Sequence, residues 1–110
     1  MVIGTLRIPV SSECHAEILE VLQSVVGPML AQPGCAGCQI YEEHRPDDAI
    51  VLSERWESEA ALEEHIRSDA YRRVLGAIEL SGSPPDVRFD YVASTQGMEL
   101  IERLRAIGGP

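Results

Sequence analysis

Three kinds of side chain in this sequence could do chemistry: a histidine on a helical stripe, a closely spaced cysteine pair, and a small set of aromatics. Histidine changes charge nearest neutral pH and is the readiest proton acceptor among the side chains. His65 stands between Leu62 and Ile66, near a break in its helix, where the ring can point back toward the end of the preceding strand. It is the candidate base, or else a core-edge histidine with a structural hydrogen bond. His15 and His44 have no partner that spacing names. Cys35-Ala36-Gly37-Cys38 has the C-x-x-C spacing of dithiol redox sites and of half a zinc site. That motif opens a strand rather than a helix, and Cys14, His15 and His44 are too scattered to complete a ligand set. Neither a metal nor a cofactor is expected. Trp56, Tyr71, Phe89 and Tyr91 all fall on inward-facing periodicities, where they serve as core or wall an apolar pocket, and Leu52 and Cys38 share the inward parity of their strands. Arg72 and Arg73 could anchor an anionic substrate or stay solvated. There is no glycine-rich phosphate loop and no serine nucleophile elbow.

The elements that must hold these groups follow from hydrophobic period. Apolar or small residues alternate from Val2 to Val10, which predicts a first strand. Ser11-Ser12 offers caps, and Ile18, Leu22, Val25 and Met29 mark a helix from about Glu13 to about Ala31, bent by Gly27-Pro28 and ended by Pro33-Gly34. Strands over Gly37–His44 and Ala49–Glu57 form a hairpin around the turn Arg45-Pro46-Asp47-Asp48. Glu42-Glu43 and Asp47-Asp48 read as a solvated edge of that hairpin. Ser58 caps a helix whose stripe runs through Leu62, Ile66, Ala70, Val74, Leu75 and Ile78, with a second cap at Ser68-Asp69 dividing it. A fourth strand spans Val87 to Ala93, and Met98 to Ile107 forms a last helix with Leu100, Ile101 and Leu104 inward.

The order β-α-β-β-α-β with a C-terminal helix predicts an α+β, ferredoxin-like fold: a four-stranded antiparallel sheet with helices on one face. Residues 1–96 make one domain and 97–110 the helix and tail, since a chain of 110 residues has no room for two cores. The other face carries Ile3, Thr5, Tyr41, Val51, Arg55 and Val92, a mixture that suits a self-complementary homodimer contact. A net charge of −9 without a single lysine makes nucleic acid and anionic membrane poor partners. No apolar run approaches the roughly 20 residues of a membrane helix, and Met1-Val2-Ile3-Gly4 lacks the pattern of a signal peptide, so a cytoplasmic location with reduced thiols is expected.

Three segments carry a family likeness. Pro33-Gly34-Cys35, the run Glu54-Arg55-Trp56-Glu57-Ser58-Glu59-Ala60-Ala61-Leu62, and His65 followed by Ser68-Asp69-Ala70-Tyr71 resemble the antibiotic biosynthesis monooxygenase family, over roughly Val2 to Ser94. The resemblance implies a dimeric α+β barrel. In members that are enzymes it implies oxidation of quinol or phenol substrates by molecular oxygen, without metal or flavin. His65 would then be the base, and Trp56, Tyr71 and Phe89 would wall the site of a small aromatic substrate. The alternative is a non-catalytic, dimeric ligand-binding or regulatory module. The heme-degrading branch uses an Asn, a Trp and a His, whereas this chain has no asparagine and carries His65 and Leu75 where that Trp and His fall. Phenol-oxidising members tend to have an asparagine four residues before Trp56, where Leu52 stands.

Overall fold

Alternation along Val2–Pro9 produces strand β1, whose even residues are buried or nearly so while the odd ones are half-exposed. The structure is a computed structural model describing residues 1–44 and 48–106; the expected turn at Arg45-Pro46-Asp47 and the end of the last helix at Ile107 fall outside the described residues. Helix α1 spans His15–Leu30, β2 Cys35–Glu43, β3 Ala49–Trp56, α2 Glu59–Ile66, α3 Asp69–Ser81, β4 Asp86–Tyr91 and α4 Met98–Ala106. The sheet is antiparallel in the order β2-β3-β1-β4, as the expected split βαβ plan requires. No helix of the described residues is long and apolar enough to cross a membrane.

The core lies between the sheet and α1 with α3. Val2, Leu6, Ile8, Ile50, Leu52 and Trp56 meet Ile18, Leu22, Val25 and Met29 of α1 and Val74 and Ala77 of α3. Ser58 and Ser68 cap α2 and α3, their hydroxyls accepting from the backbone N–H of Ala61 and Tyr71. The expected serine cap on α1 is replaced by Cys14, which occupies the N-cap without a side-chain cap bond, while Ser11 carbonyl accepts from the N–H of Cys14 and His15. Pro28 sits inside α1, which runs on to Leu30.

Six placements depart from expectation. Ile66 and Leu75 are exposed, because the break at Ser68 resets the helical phase and gives the inward places to His65, Val74 and Ala77. Tyr91 shares the helix-side face of the sheet but is 60% exposed, since β4 is an edge strand that the helix layer does not cover. Ile101 and Leu104 of α4 are 55% and 59% exposed, and Leu100 is only half-buried, because α4 leaves the sheet without packing along another helix. The opposite face of the sheet is half-exposed as expected at Ile3, Thr5 and Val51, and Arg7 is paired there with Glu43 at 2.5 Å.

Candidate active site

A carboxylate and an imidazole are buried together beneath the helices. Glu54 is on the inward parity of β3 between Leu52 and Trp56, and it is 4% exposed; His65, from the last turn of α2, is 1% exposed. The Ser58 turn folds α2 back over β3, which brings two residues from consecutive elements into contact. His65 Nε2 lies 3.4 Å from Glu54 Oε2. Trp56 Nε1 donates to the other oxygen, Oε1, at 3.1 Å. On the far side of the ring, His65 Nδ1 is 2.8 Å from Gln32 Oε1 at the end of the α1 loop.

With the Gln32 amide oxygen turned toward the ring, that oxygen accepts and Nδ1 carries the proton that it receives. Nε2 then presents its lone pair to a carboxylate oxygen and makes no hydrogen bond. A buried nitrogen in that position is costly to leave unsatisfied, about 1–3 kcal/mol, and one added proton converts the mismatch into a charge-assisted ion pair. Trp56 stacks on the imidazole at 4.6 Å between ring centroids, and Tyr71 meets it edge-on at 5.2 Å, so the ring cannot easily turn away.

Two hollows flank this pair. The outer one, about 620 Å³, opens between the α1 loop and α2 and is lined by Gln32, Gly34, Ser58, Ala61, Glu64 and His65, among others. The inner one lies between α3 and the β1, β3 and β4 strands, with Leu52, Glu54, Tyr71, Val74 and Phe89 on its walls. It encloses about 10 Å³, space for one water.

Of the residues expected at a site, His65, Trp56 and Tyr71 are brought together around Glu54, and Leu52, Tyr71 and Phe89 meet in the inner hollow. Cys38 is buried across the strand register from Glu54. Tyr91 is not brought to the site, and the arginines expected as an anchor are not either: Arg72 and Arg73 are exposed, with Arg73 donating to Ser24. His15 has a partner after all, Glu42 at 2.6 Å, on the hairpin edge. A bulge between Cys35 and Gly37 puts both thiols on the helix side of β2. Burial, and then the charge of Glu54, push the Cys38 thiol up to about 12; burial also raises Cys35, with the Gly37 carbonyl partly opposing it. Both thiols are protonated at neutral pH, the opposite of a reactive dithiol. Among the described residues no group of three His, Cys, Asp or Glu side chains is placed to hold a metal. Burial and Glu54 likewise raise the Tyr71 phenol.

Sequence reasoning missed Glu54, Gln32 and Gly4. Gly4 faces Glu54 across the β1–β3 register, and a Cβ there would stand 2.9 Å from Glu54 Cγ. A carboxylate on an apolar parity with a mid-strand glycine opposite it was the readable signal.

The sequence model of the family described as antibiotic biosynthesis monooxygenase matches residues 1–76. The chain belongs to that family. Solved structures of the same shape include Rv0793 from Mycobacterium tuberculosis, 25% identical with a TM-score of 0.77 over 87% of this chain and 98% of that one. SnoaB, a cofactor-independent oxygenase from Streptomyces nogalater, is 18% identical with a TM-score of 0.71 over 86% and 94%. A Deinococcus radiodurans protein described as an antibiotic biosynthesis monooxygenase is 15% identical with a TM-score of 0.80 over 88% and 97%. The last two likenesses bear on the fold alone. Among curated proteins, the uncharacterized protein sll1783 of Synechocystis is 26% identical over 91 residues, 82% of this chain; the chain spans 62% of that relative's length.

Proposed function

We propose that the chain is a cofactor-independent monooxygenase that oxidises a small quinol-like or phenolic molecule with molecular oxygen. The observation that carries this reading is the buried His65 with its unsatisfied Nε2, held between Trp56 and Tyr71. Removing the hydroxyl proton of a quinol makes an electron-rich anion that can itself reduce oxygen, so the protein has to supply a proton acceptor and a dry, apolar surround. The balance is simple: one oxygen atom enters the ring, the other leaves as water with two substrate hydrogens, and the substrate supplies every electron. His65 stores the first of those protons during turnover, and Tyr71, Phe89, Leu52 and Trp56 exclude water from the anion.

The half-exposed sheet face supports a homodimer, because Ile3, Thr5 and Val51 leave apolar area that an isologous contact would bury and Arg7 and Glu43 are already paired within the chain. Sedimentation at twice the chain mass is the expected result. Activity is tested by oxygen uptake with a panel of hydroquinones and phenols, expected in the wild type and lost in His65→Ala while the circular-dichroism spectrum is kept. The outer hollow, about 620 Å³ between the α1 loop and α2, favours one other reading, a ligand-binding module. That reading requires ligand-induced thermal stabilisation with no oxygen consumption by any panel member.

A further inference from the structure

Glu54 lines the inner hollow and His65 does not; His65 lines the outer hollow and Glu54 does not. The two side chains therefore form the partition between the hollows. The lone pair of His65 Nε2 is aimed at Glu54, and its other nitrogen is occupied by Gln32, so no His65 atom is free to meet a ring lying against Leu52, Tyr71 and Phe89.

The choice of hollow follows from what each would do to an anion. The outer one borders the exposed pair Arg67–Glu64 and opens to water, which would protonate or quench a phenolate. The inner one has mostly aromatic and aliphatic walls, with Glu54 its one charged side chain beside the hydroxyls of Thr5 and Tyr71. The hollow lies against β4, the edge strand of the sheet, so admitting a ring requires Phe89 and Val87 to part from Tyr71 and Val74 on α3.

We propose that Glu54 is the first proton acceptor of this site, touching a phenolic hydroxyl in the inner hollow, and that His65 stands behind it and takes the proton on. The proposal rests on the reading of the pocket as one for phenols. The substrate O–H bond breaks with its electron pair left on the substrate oxygen, and an O–H bond forms on the Glu54 carboxylate. That hydrogen then passes to His65 Nε2 across the 3.4 Å contact, restoring the carboxylate beside an imidazolium. The phenolate consequently faces a neutral ion pair. The Nδ1–Gln32 contact opens toward the outer hollow, which gives the stored proton a way to and from water. The other titratable groups facing Glu54 are Cys38 and Cys35 from β2 and Tyr71 from α3. All three keep their protons through neutral pH and leave the relay to the carboxylate and the imidazole.

The test uses the whole chain and 4-nitrophenol, whose anion is yellow and whose neutral form is not, at a pH below its own ionisation. Binding to the wild type is expected to produce the phenolate band. Glu54→Gln is expected to bind the dye within a few-fold of wild type and leave it colourless, while His65→Gln weakens the band without abolishing it. Glu54→Asp, which keeps the charge, should retain part of the band and guards against a folding failure of the amide variant. Filling the outer hollow with Ala60→Trp should leave dye binding and the equilibrium band unchanged, because it bears only on the proton's route to water. The proposal is overturned if Glu54→Gln still ionises the bound dye, if the wild type does not bind it, or if Ala60→Trp abolishes binding. In the oxygen assay Glu54→Gln should lose about a hundredfold or more in kcat. Glu54-dependent ionisation of the dye without oxygen uptake by any hydroquinone would sink the monooxygenase reading and leave the proton acceptor standing. Oxygen uptake that survives Glu54→Gln but not His65→Ala would do the reverse.

Discussion

Gly4→Ala gives the sharpest test of how the carboxylate is held. In an ordinary strand this change stabilises by about 0.5–1 kcal/mol, because alanine has less backbone freedom to lose on folding. Here the new Cβ would sit 2.9 Å from Glu54 Cγ and 3.0 Å from Oε1. Ordinary carbon contacts begin near 3.5 Å, so the carboxylate must move by about half an ångström or more. Oε1 is the atom that accepts from Trp56 Nε1 at 3.1 Å, and a shift of that size breaks the bond. A hydrogen bond to a charged group contributes about 1.5–3 kcal/mol, which outweighs the backbone gain. The net expectation is a loss of about 1–2 kcal/mol. Urea unfolding followed by the fluorescence of Trp56, the single tryptophan, reads both the midpoint and the local change at the indole. A double-mutant cycle isolates the cause: in a Glu54→Ala background the same Gly4→Ala change should be neutral or stabilising. If Gly4→Ala is as stable as wild type, or if the coupling to Glu54 is near zero, the glycine does not cradle the carboxylate and the account of the site's geometry fails.

Three further outcomes are expected. Cys38 holds its proton to about 12 in the folded chain against an ordinary 9.0, so the folded state binds more protons over that window; its contribution is complete below pH 9 and is lost as pH rises toward 12, up to roughly 4 kcal/mol, measurable as falling urea midpoints from pH 9 upward. In Gly34→Ala the left-handed φ of 84° and a Cβ 2.5 Å from Ala61 Cβ both penalise folding, by roughly 2–5 kcal/mol together, and adding Ala61→Gly should recover only the contact share. A chain ended after residue 96 should melt within about 2 °C of the full one, because Met98, Ile101 and Leu104 of α4 are exposed; a drop beyond about 5 °C would show that α4 packs in solution.

Much of the fold is written in two periods. Val2, Leu6 and Ile8 alternate, Ile18, Leu22, Val25 and Met29 recur at helical spacing, and both patterns end in the buried positions they point to. Period names a face but does not say how far the layer above it extends. That is why Tyr91, on the correct face, stands in solvent at an edge strand, and why the apolar stripe of α4 has no cover. The candidate site was half legible for a related reason. His65 stands out because a histidine interrupts an apolar stripe, whereas Glu54, interrupting the apolar parity Ile50-Leu52-Trp56 in the same way, reads as one more polar residue in an alternating strand. A charge on a buried parity costs several kcal/mol in desolvation, far more than a polar residue on a half-exposed one, and a stable chain tolerates it only with partners. Glu54's neighbours Gly4 and His65, with Gln32 behind the imidazole, come from three other parts of the chain, and no local spacing announces them. The breach of patterning is the informative observation: Glu54 is where the folding rule and the chemistry disagree, and the side chains gathered around it are what the disagreement requires.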